Sequence, residues 1–137
     1  MPYFIRAKTY YRYAEEQLRA AEGALKQRDL LAALARAKEA IERACRALWA
    51  IVEFEAPKEK PPLEKILSQF DRAVEPWLAK EIKRSWERVK EISAEKPDFE
   101  TAKEAVDLAR FVVRRTREVL EPITGPPETP KKKPFIL

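Results

Sequence analysis

The sequence predicts an all-α protein, an up-and-down four-helix bundle with an additional short helix. Apolar residues recur at alternating intervals of three and four over most of the 137 positions, the spacing of one face of an amphipathic helix. Prolines and polar residues interrupt these periodic segments at intervals that suit short connections. Residues of high β-propensity also fall at helical spacing, so no strand is expected.

The second predicted helix, from Asp29 to Ile51, is the central element. No proline or glycine interrupts its apolar stripe, which is formed by Leu30, Leu34, Ala37, Ile41, Ala44, Leu48 and Ile51. Asp29 occupies the N-cap position, where its carboxylate accepts from the first free backbone N–H groups. Small residues flank the stripe and permit close approach of helices on two sides, at Ala33, Ala40 and Ala47.

The first predicted helix runs from about Ile5 to Gln27 and carries a matching stripe, at Ala7, Tyr11, Ala14, Leu18, Ala21 and Leu25. Only a tight turn at Arg28 and Asp29 separates the two helices, so they should pair as an antiparallel hairpin.

Three shorter or later helices complete the predicted bundle. After a proline-rich loop at 53–62, we expect a short helix at 63–70, a fourth helix at 75–94 and a last helix at 99–123, closed at Pro122. A single domain is predicted over residues 1–123. Residues 124–137 contain a lysine run and four prolines without periodicity, which predicts an extended or disordered tail. A tetratricopeptide array is disfavoured, because its Trp, Gly and Tyr positions are absent.

Charge and cysteine content narrow the class of protein. Lys and Arg number 28 against 23 Asp and Glu, and the net charge of +5 permits a polyanionic partner without requiring one. A charged fraction of 37% with only two glycines suggests a thermophilic source. The single cysteine excludes an internal disulfide and makes the cytoplasm the default location. No apolar run is long enough for a membrane span.

The chain contains no histidine, the residue most often used as a general base near neutral pH. Catalytic triads, most zinc sites and di-iron Glu-x-x-His sites are therefore excluded. Two glycines cannot form a glycine-rich phosphate loop, and Cys45 is expected to be a buried, inert thiol. We predict no enzyme, no metal and no cofactor. A metal enzyme that uses carboxylates is the least favoured alternative.

Basic rows on two helices are the candidate binding residues. Arg110, Arg114 and Arg117 fall at i, i+4 and i+7 on the last helix, with Lys103 on the same stripe. Arginine forks match phosphate oxygens, so this row can bind phosphates, although a solvated face is the simpler explanation. A second row lies on the fourth helix, at Lys80, Arg84 and Arg88.

Glu42 lies at the edge of the central stripe. It is expected to pair with Arg46 at i+4, or else to form a buried polar contact that needs an Arg or Tyr partner. A row of aromatic residues lies off the stripe of the first helix, at Tyr3, Tyr10 and Tyr13. These rings suit a dimer contact, a base-stacking platform or packing within the monomer.

The second helix resembles the signature helix of HEPN domains (higher eukaryote and prokaryote nucleotide-binding domains). That signature reads roughly A-x-x-A-x-E-x-x-x-K-A-L, and it is matched from Ala37 to Leu48, with Arg46 in place of the usual lysine. The order of helices over residues 5–120 agrees with this family. Related archaeal helical-bundle families share the same hairpin, and the chain resembles those as well.

The resemblance implies a five-helix bundle, often a homodimer, associated with nucleotide or RNA binding. It also implies toxin–antitoxin pairs that include a nucleotidyltransferase partner. Many members are RNases with an Arg-x4-6-His motif on the last helix, but here no histidine follows the arginines. Arginine does not transfer protons well, so no metal-independent RNase activity of that type is expected.

The leading prediction is therefore a non-catalytic HEPN-like bundle that dimerises and binds a nucleotide, RNA or a partner protein. The predicted phosphate-facing residues are Arg110, Arg114 and Arg117, with Glu42 and Arg46 as their structural neighbours. The alternative is a purely structural subunit that binds a helix or tail of another chain and has no nucleic-acid role.

Overall fold

The computed structural model describes residues 4–53, 60–92 and 95–125, and within these ranges the chain is all-helical, as predicted. Its elements, in chain order, are α1 (Phe4–Lys26), α2 (Leu30–Ala50), α3 (Leu63–Ser68), a 3₁₀ turn (Phe70–Arg72), α4 (Pro76–Glu91) and α5 (Phe99–Thr124). The described ranges contain four long helices and one short helix, which confirms the predicted all-α architecture. The predicted tail from residue 126 onward and Tyr3 lie outside the described residues.

The α1–α2 hairpin forms as predicted, with α5 packed against both of its helices. Arg36 donates to Gln17 at 3.2 Å near the middle of the hairpin, and Arg6 contacts Glu53 at 3.2 Å at its open end. These pairs require α1 and α2 to run in opposite directions. Arg110 of α5 reaches Glu22 near the C-terminal end of α1, and Glu121 lines a cavity with Lys8 near the N-terminal end of α1. Helix α5 is therefore also antiparallel to α1.

The tight turn between α1 and α2 has a specific cap. Arg28 adopts a positive φ of 62°, and the N–H of Asp29 donates to the carbonyl of Ala24 at 2.9 Å. Together with the bond from Arg28 to Leu25, this is the Schellman arrangement that ends many helices. The Asp29 carboxylate then accepts from the N–H of Ala32 at 3.2 Å, which confirms the predicted N-cap.

The core centres on α2, which is buried on three sides. Leu34, Ile41 and Leu48 of the predicted stripe are at most 2% exposed, and the flanking alanines are 0% exposed. Because the flanking positions carry only a methyl group, α1 and α5 approach α2 from both sides. The expected interior role of Ala33, Ala40 and Ala47 is confirmed.

The later elements differ from the predicted boundaries. The third helix ends at Ser68 and continues as the 3₁₀ turn, while α4 ends at Glu91. The prediction that Pro122 closes the last helix is wrong, because α5 continues to Thr124 and stops at Gly125, whose φ is 84°. The proline removes only the hydrogen bond to the carbonyl of Glu118, which is tolerated within the exposed last turn.

No helix in the described ranges combines the length and apolarity that crossing a membrane requires.

Candidate nucleic-acid interface

The predicted arginine row lies on the side of α5 that faces α1. Its three guanidinium groups differ in how many hydrogen bonds and ion pairs they make. Arg110 donates from Nε and Nη2 to Oε2 of Glu22, at 2.9 and 2.8 Å, and from Nη1 to Asp107 at 2.7 Å. These bonds link α5 to α1 and raise the pKa of Arg110 further. Arg110 is therefore an interhelical bridge, and phosphate would have to displace Glu22 to reach it.

The other two arginines of the row are more available. Arg117 donates only its Nε to Glu121, at 2.9 Å, and its side chain is 51% exposed. Arg114 is exposed and makes no side-chain hydrogen bond or ion pair within the described part of the chain. The phosphate-facing role of Arg114 and Arg117 stays a prediction, with Arg114 the better placed.

A second charged stripe, which sequence reasoning missed, lies on α1 beside this row. Its members recur at intervals of 4, 3, 4, 3 and 4, and are Lys8, Arg12, Glu15, Arg19, Glu22 and Lys26. The row on α5 has the same spacing, with Lys103, Asp107, Arg110, Arg114, Arg117 and Glu121. All twelve positions are charged. We call these two stripes together the α1–α5 face.

The α1–α5 face contains the excess positive charge of the described residues. It has eight Lys and Arg against four Asp and Glu, whereas the described ranges as a whole have 24 against 20. The remaining surface is therefore close to neutral on average. At 1.5 Å per residue, Lys8 and Lys26 are separated by about 27 Å along α1, so the face is a long strip.

Five cations of the face make no side-chain hydrogen bond or ion pair to any described residue. They are Lys8, Arg12, Arg19, Lys26 and Arg114. The signal was available in the sequence, because cations at 8, 12, 19 and 26 fall on one helical stripe. The apolar stripe of α1 is sufficient by itself to predict the helix, so the charged stripe adds nothing to the prediction of the fold.

A cavity of about 180 Å³ opens between the two stripes, near the N-terminal end of α1. Tyr11 contributes to its wall and donates its hydroxyl to Oε2 of Glu15 at 3.1 Å. Burial, followed by the negative charge of Glu15, raises the pKa of Tyr11 well above its usual value. The phenol therefore stays protonated and acts as a hydrogen-bond donor.

Glu42 and Arg46 form the predicted i,i+4 ion pair, which confirms that interpretation. Arg46 donates from Nε and Nη2 to Oε2 of Glu42, at 3.2 and 3.0 Å, and from Nη1 to the carbonyl of Pro61 at 2.9 Å. Arg46 lines a different cavity, with Arg6 and Tyr10. The structure does not bring Glu42 and Arg46 together with the arginine row as structural neighbours.

The second basic row, on α4, is mostly paired. Arg88 donates to both carboxylate oxygens of Glu104 at 2.7 Å and so joins α4 to α5. Arg84 pairs with Glu81 at 3.1 Å. These contacts favour the simpler explanation, a solvated face with interspersed acids.

Cys45 is buried, as predicted, and burial raises the pKa of its thiol to about 12. In the part of the chain that the structure describes, no three His, Cys, Asp or Glu side chains converge as metal ligands. Two rings of the predicted aromatic row lie near cations, since the Arg43 guanidinium is 5.7 Å from the ring of Tyr13 and the Lys60 ammonium is 6.0 Å from that of Tyr10.

No family model matches the chain, and no curated protein or solved structure matches it significantly. Function is therefore inferred from the site.

Proposed function

We propose that the chain is a non-catalytic HEPN-like helical bundle that binds RNA through the α1–α5 face. The observation that supports this most is the pair of fully charged antiparallel stripes, whose excess of four cations equals that of all described residues. Phosphate backbones are bound mainly through such charge, by release of condensed counterions. A strip about 27 Å long contacts several successive phosphates of one strand.

The chemistry of the face predicts backbone recognition without sequence preference. None of its twelve residues is aromatic or has a neutral amide, so it lacks the side chains that stack on bases or read their edges. Arg12, Arg19 and Arg114, which pair with no residue in the described ranges, can form bidentate contacts with phosphate oxygens. We therefore propose low-specificity, salt-sensitive binding of single-stranded RNA.

The absence of histidine from the sequence supports the non-catalytic part of the proposal. Cleavage of RNA needs a group that removes the proton of the 2′-hydroxyl and a group that protonates the leaving oxygen. Guanidinium groups stay charged, and the raised pKa of Tyr11 keeps its phenol protonated near neutral pH, so it is not available to accept a proton. Purified protein that cuts RNA without added metal would contradict this part.

The decisive experiment compares two triple variants by fluorescence anisotropy with labelled single-stranded RNA. The first variant reverses Arg12, Arg19 and Arg114 to Glu. The control makes the same charge change on α3 and α4, at Lys65, Lys80 and Lys83, none of which pairs with a described residue. Both proteins should keep the helical circular dichroism of wild type.

The face variant should bind roughly a hundredfold more weakly at 50 mM salt, since each lost phosphate contact costs several-fold there. The control should stay within about threefold of wild type, because its charges lie outside the strip. Equal losses in both variants would show that only net charge matters. Absence of binding by the wild-type protein would refute the proposal directly.

A different observation favours the alternative, a structural subunit. Phe4, Ile5 and Ile123 are 41%, 84% and 45% exposed. They lie at the same end of the bundle, where Ile5 lines a cavity with Thr124 and Gly125. Exposed apolar side chains that group into one patch mark interaction surfaces. The HEPN resemblance also implies a homodimer and a nucleotidyltransferase partner, and we include both as proposals for this end of the molecule.

Light scattering tests the homodimer. The chain has a mass of 16.0 kDa, so a dimer should have twice that value. Ile5→Asp should reduce the mass to that of one chain, whereas Leu31→Asp, at a 55% exposed position on α2, should leave it unchanged. A wild-type protein that is monomeric at high concentration would contradict the homodimer.

A further inference from the structure

The cavity of about 180 Å³ between the two stripes, which we call the Tyr11 cavity, has a chemistry that binding of a phosphate backbone does not use. Apolar side chains line it together with five charged ones, which are Lys8, Arg12, Glu15, Arg117 and Glu121. Three cations and two carboxylates give this lining a net charge of +1. A ligand that carries a single negative charge balances it.

Two of the lining cations pair with none of the described residues. Arg117 donates to Glu121 at 2.9 Å, whereas Lys8 and Arg12 make no side-chain hydrogen bond or ion pair within the described ranges. Lys8 and Arg12 are at i and i+4 on α1, so their Cβ atoms are about 5–6 Å apart. Both side chains can therefore reach the same carboxylate group.

Tyr11 keeps the nearest lining carboxylate away from Arg12. Glu15 follows Arg12 by three residues, a spacing at which charged side chains on a helix often pair. Its Oε2 accepts the hydroxyl of Tyr11 at 3.1 Å instead. Burial, followed by the charge of Glu15, raises the pKa of Tyr11, so the phenol stays protonated and this hydrogen bond persists at neutral pH.

The size of the cavity limits the ligand. A cavity of about 150 Å³ holds one molecule of benzene, and sites for drug-sized ligands begin at about 300 Å³. The 180 Å³ of the Tyr11 cavity therefore suits a ligand slightly larger than benzene and is too small for a nucleotide. Leu120, which is 4% exposed, and Ile5, which is 84% exposed, supply apolar surface, so part of the ligand should be aliphatic.

We infer that the Tyr11 cavity binds a small, compact aliphatic carboxylate. Its carboxylate oxygens accept from Lys8 and Arg12, in charge-assisted hydrogen bonds that are stronger than neutral ones. Its hydrocarbon part packs against Ile5 and Leu120 and leaves water. Tyr11 is a positioning residue, because it holds Glu15 where that carboxylate does not compete with the ligand for Arg12.

This inference goes beyond the proposed RNA binding and does not depend on it. The Tyr11 cavity shares Lys8 and Arg12 with the α1–α5 face, but its ligand is titrated without RNA. A failure of the ligand to bind leaves the RNA titration as it stands, and a failure of RNA to bind leaves the ligand affinity as it stands.

The test is calorimetric titration of the full chain with four probes at pH 7 and low ionic strength: 4-methylpentanoate, 4-methylpentanamide, acetate and inorganic phosphate. The pentanoate should bind most tightly. The amide has the same shape without the charge and should bind about tenfold more weakly. Acetate should also bind about tenfold more weakly, because it lacks the apolar contact. Equal affinity for the amide would overturn the role of the cations, and equal affinity for acetate or phosphate would overturn the role of the aliphatic part.

Four variants locate the site. Arg12→Gln should weaken binding of 4-methylpentanoate about tenfold, as expected for the loss of one charge-assisted contact. Tyr11→Phe should weaken it several-fold, because Glu15 is released and competes for Arg12. Glu15→Gln should strengthen it several-fold, and the double variant Y11F/E15Q should bind as tightly as Glu15→Gln alone. Glu16→Gln, at the next residue and outside the cavity lining, is the control and should have no effect.

Helical circular dichroism checks that each variant is folded. No binding of 4-methylpentanoate by the wild-type protein at millimolar concentration, or an unchanged affinity in Arg12→Gln, would refute the inference. If Tyr11→Phe weakens binding equally with and without Glu15→Gln, the positioning role of Tyr11 is wrong.

Discussion

Glu22→Gln should weaken the fold and strengthen RNA binding, and this pair of opposite effects is the sharpest consequence of the α1–α5 face. Glu22 accepts two N–H groups of Arg110 on one oxygen, at 2.9 and 2.8 Å. The substitution removes the negative charge of this bridge between α1 and α5. It also frees the Arg110 guanidinium for phosphate and raises the excess of cations on the face from four to five.

The loss of stability should be small, because the two side chains are 37% and 35% exposed. Solvent screens such a pair, so we expect about 0.5–1 kcal/mol of destabilisation, or roughly 2–5 °C in Tm for a chain of this size. The gain in RNA affinity follows from one additional phosphate contact. At 0.1 M salt the counterion term for one contact on a single strand amounts to about fivefold.

The assay pairs thermal denaturation followed by circular dichroism with anisotropy titration of the same RNA. Glu16→Gln is the matched control, because it makes the same charge change on the same helix outside the stripe, at an exposed residue. It should change neither Tm nor affinity appreciably. If both variants gain affinity equally, net charge rather than this face governs binding. If Glu22→Gln binds RNA more weakly, the Arg110 bridge itself organises the site and the reasoning fails.

Three further predictions concern the fold. Leu34→Ala, at a 2% exposed position, should cost about 2–5 kcal/mol in urea denaturation, whereas Leu31→Ala, 55% exposed on the same helix, should cost less than about 0.5 kcal/mol. Hydrogen bonding and then charge from Arg88 lower the pKa of Glu104 below its ordinary 4.5. The pair therefore stabilises the fold above about pH 4.5, the ordinary pKa of the carboxyl group, and this contribution should fade as pH falls through the lowered pKa. Glu104→Gln should reduce Tm at pH 7 and have little effect near pH 2. Cys45, with its pKa raised to about 12, should react with a thiol reagent at pH 8 only in denaturant, and rapid labelling of native protein would contradict its burial.

The hairpin could be predicted from the sequence because its signals are local. The apolar stripe of α2 lies at regular helical intervals, and Asp29 satisfies the first free N–H groups of the same helix. The turn at Arg28 was also expected, since two residues leave room only for a tight connection. Such features depend on residues a few positions apart, and the structure confirms each of them.

The pairing of charges could not be predicted, because it joins distant parts of the chain. Glu22 and Arg110 are 88 positions apart, and nothing local indicates that the acid engages the predicted phosphate-binding arginine. The same holds for Arg46, whose anchor on the Pro61 carbonyl depends on how the loop returns to α2. The end of α5 was misjudged for a different reason, since a proline is tolerated where little of the helix follows it.

The salt dependence of RNA affinity tests the central claim most directly. Five cations of the α1–α5 face pair with none of the described residues. The logarithm of the association constant should therefore fall against the logarithm of salt concentration with a slope of about −3.5. The triple Arg-to-Glu variant of the face should lose most of its RNA affinity. Any affinity that remains should depend on salt concentration with a shallower slope than that of the wild-type protein. A wild-type slope shallower than about −1, or one that the face variant shares, would show that these two stripes do not bind the phosphate backbone.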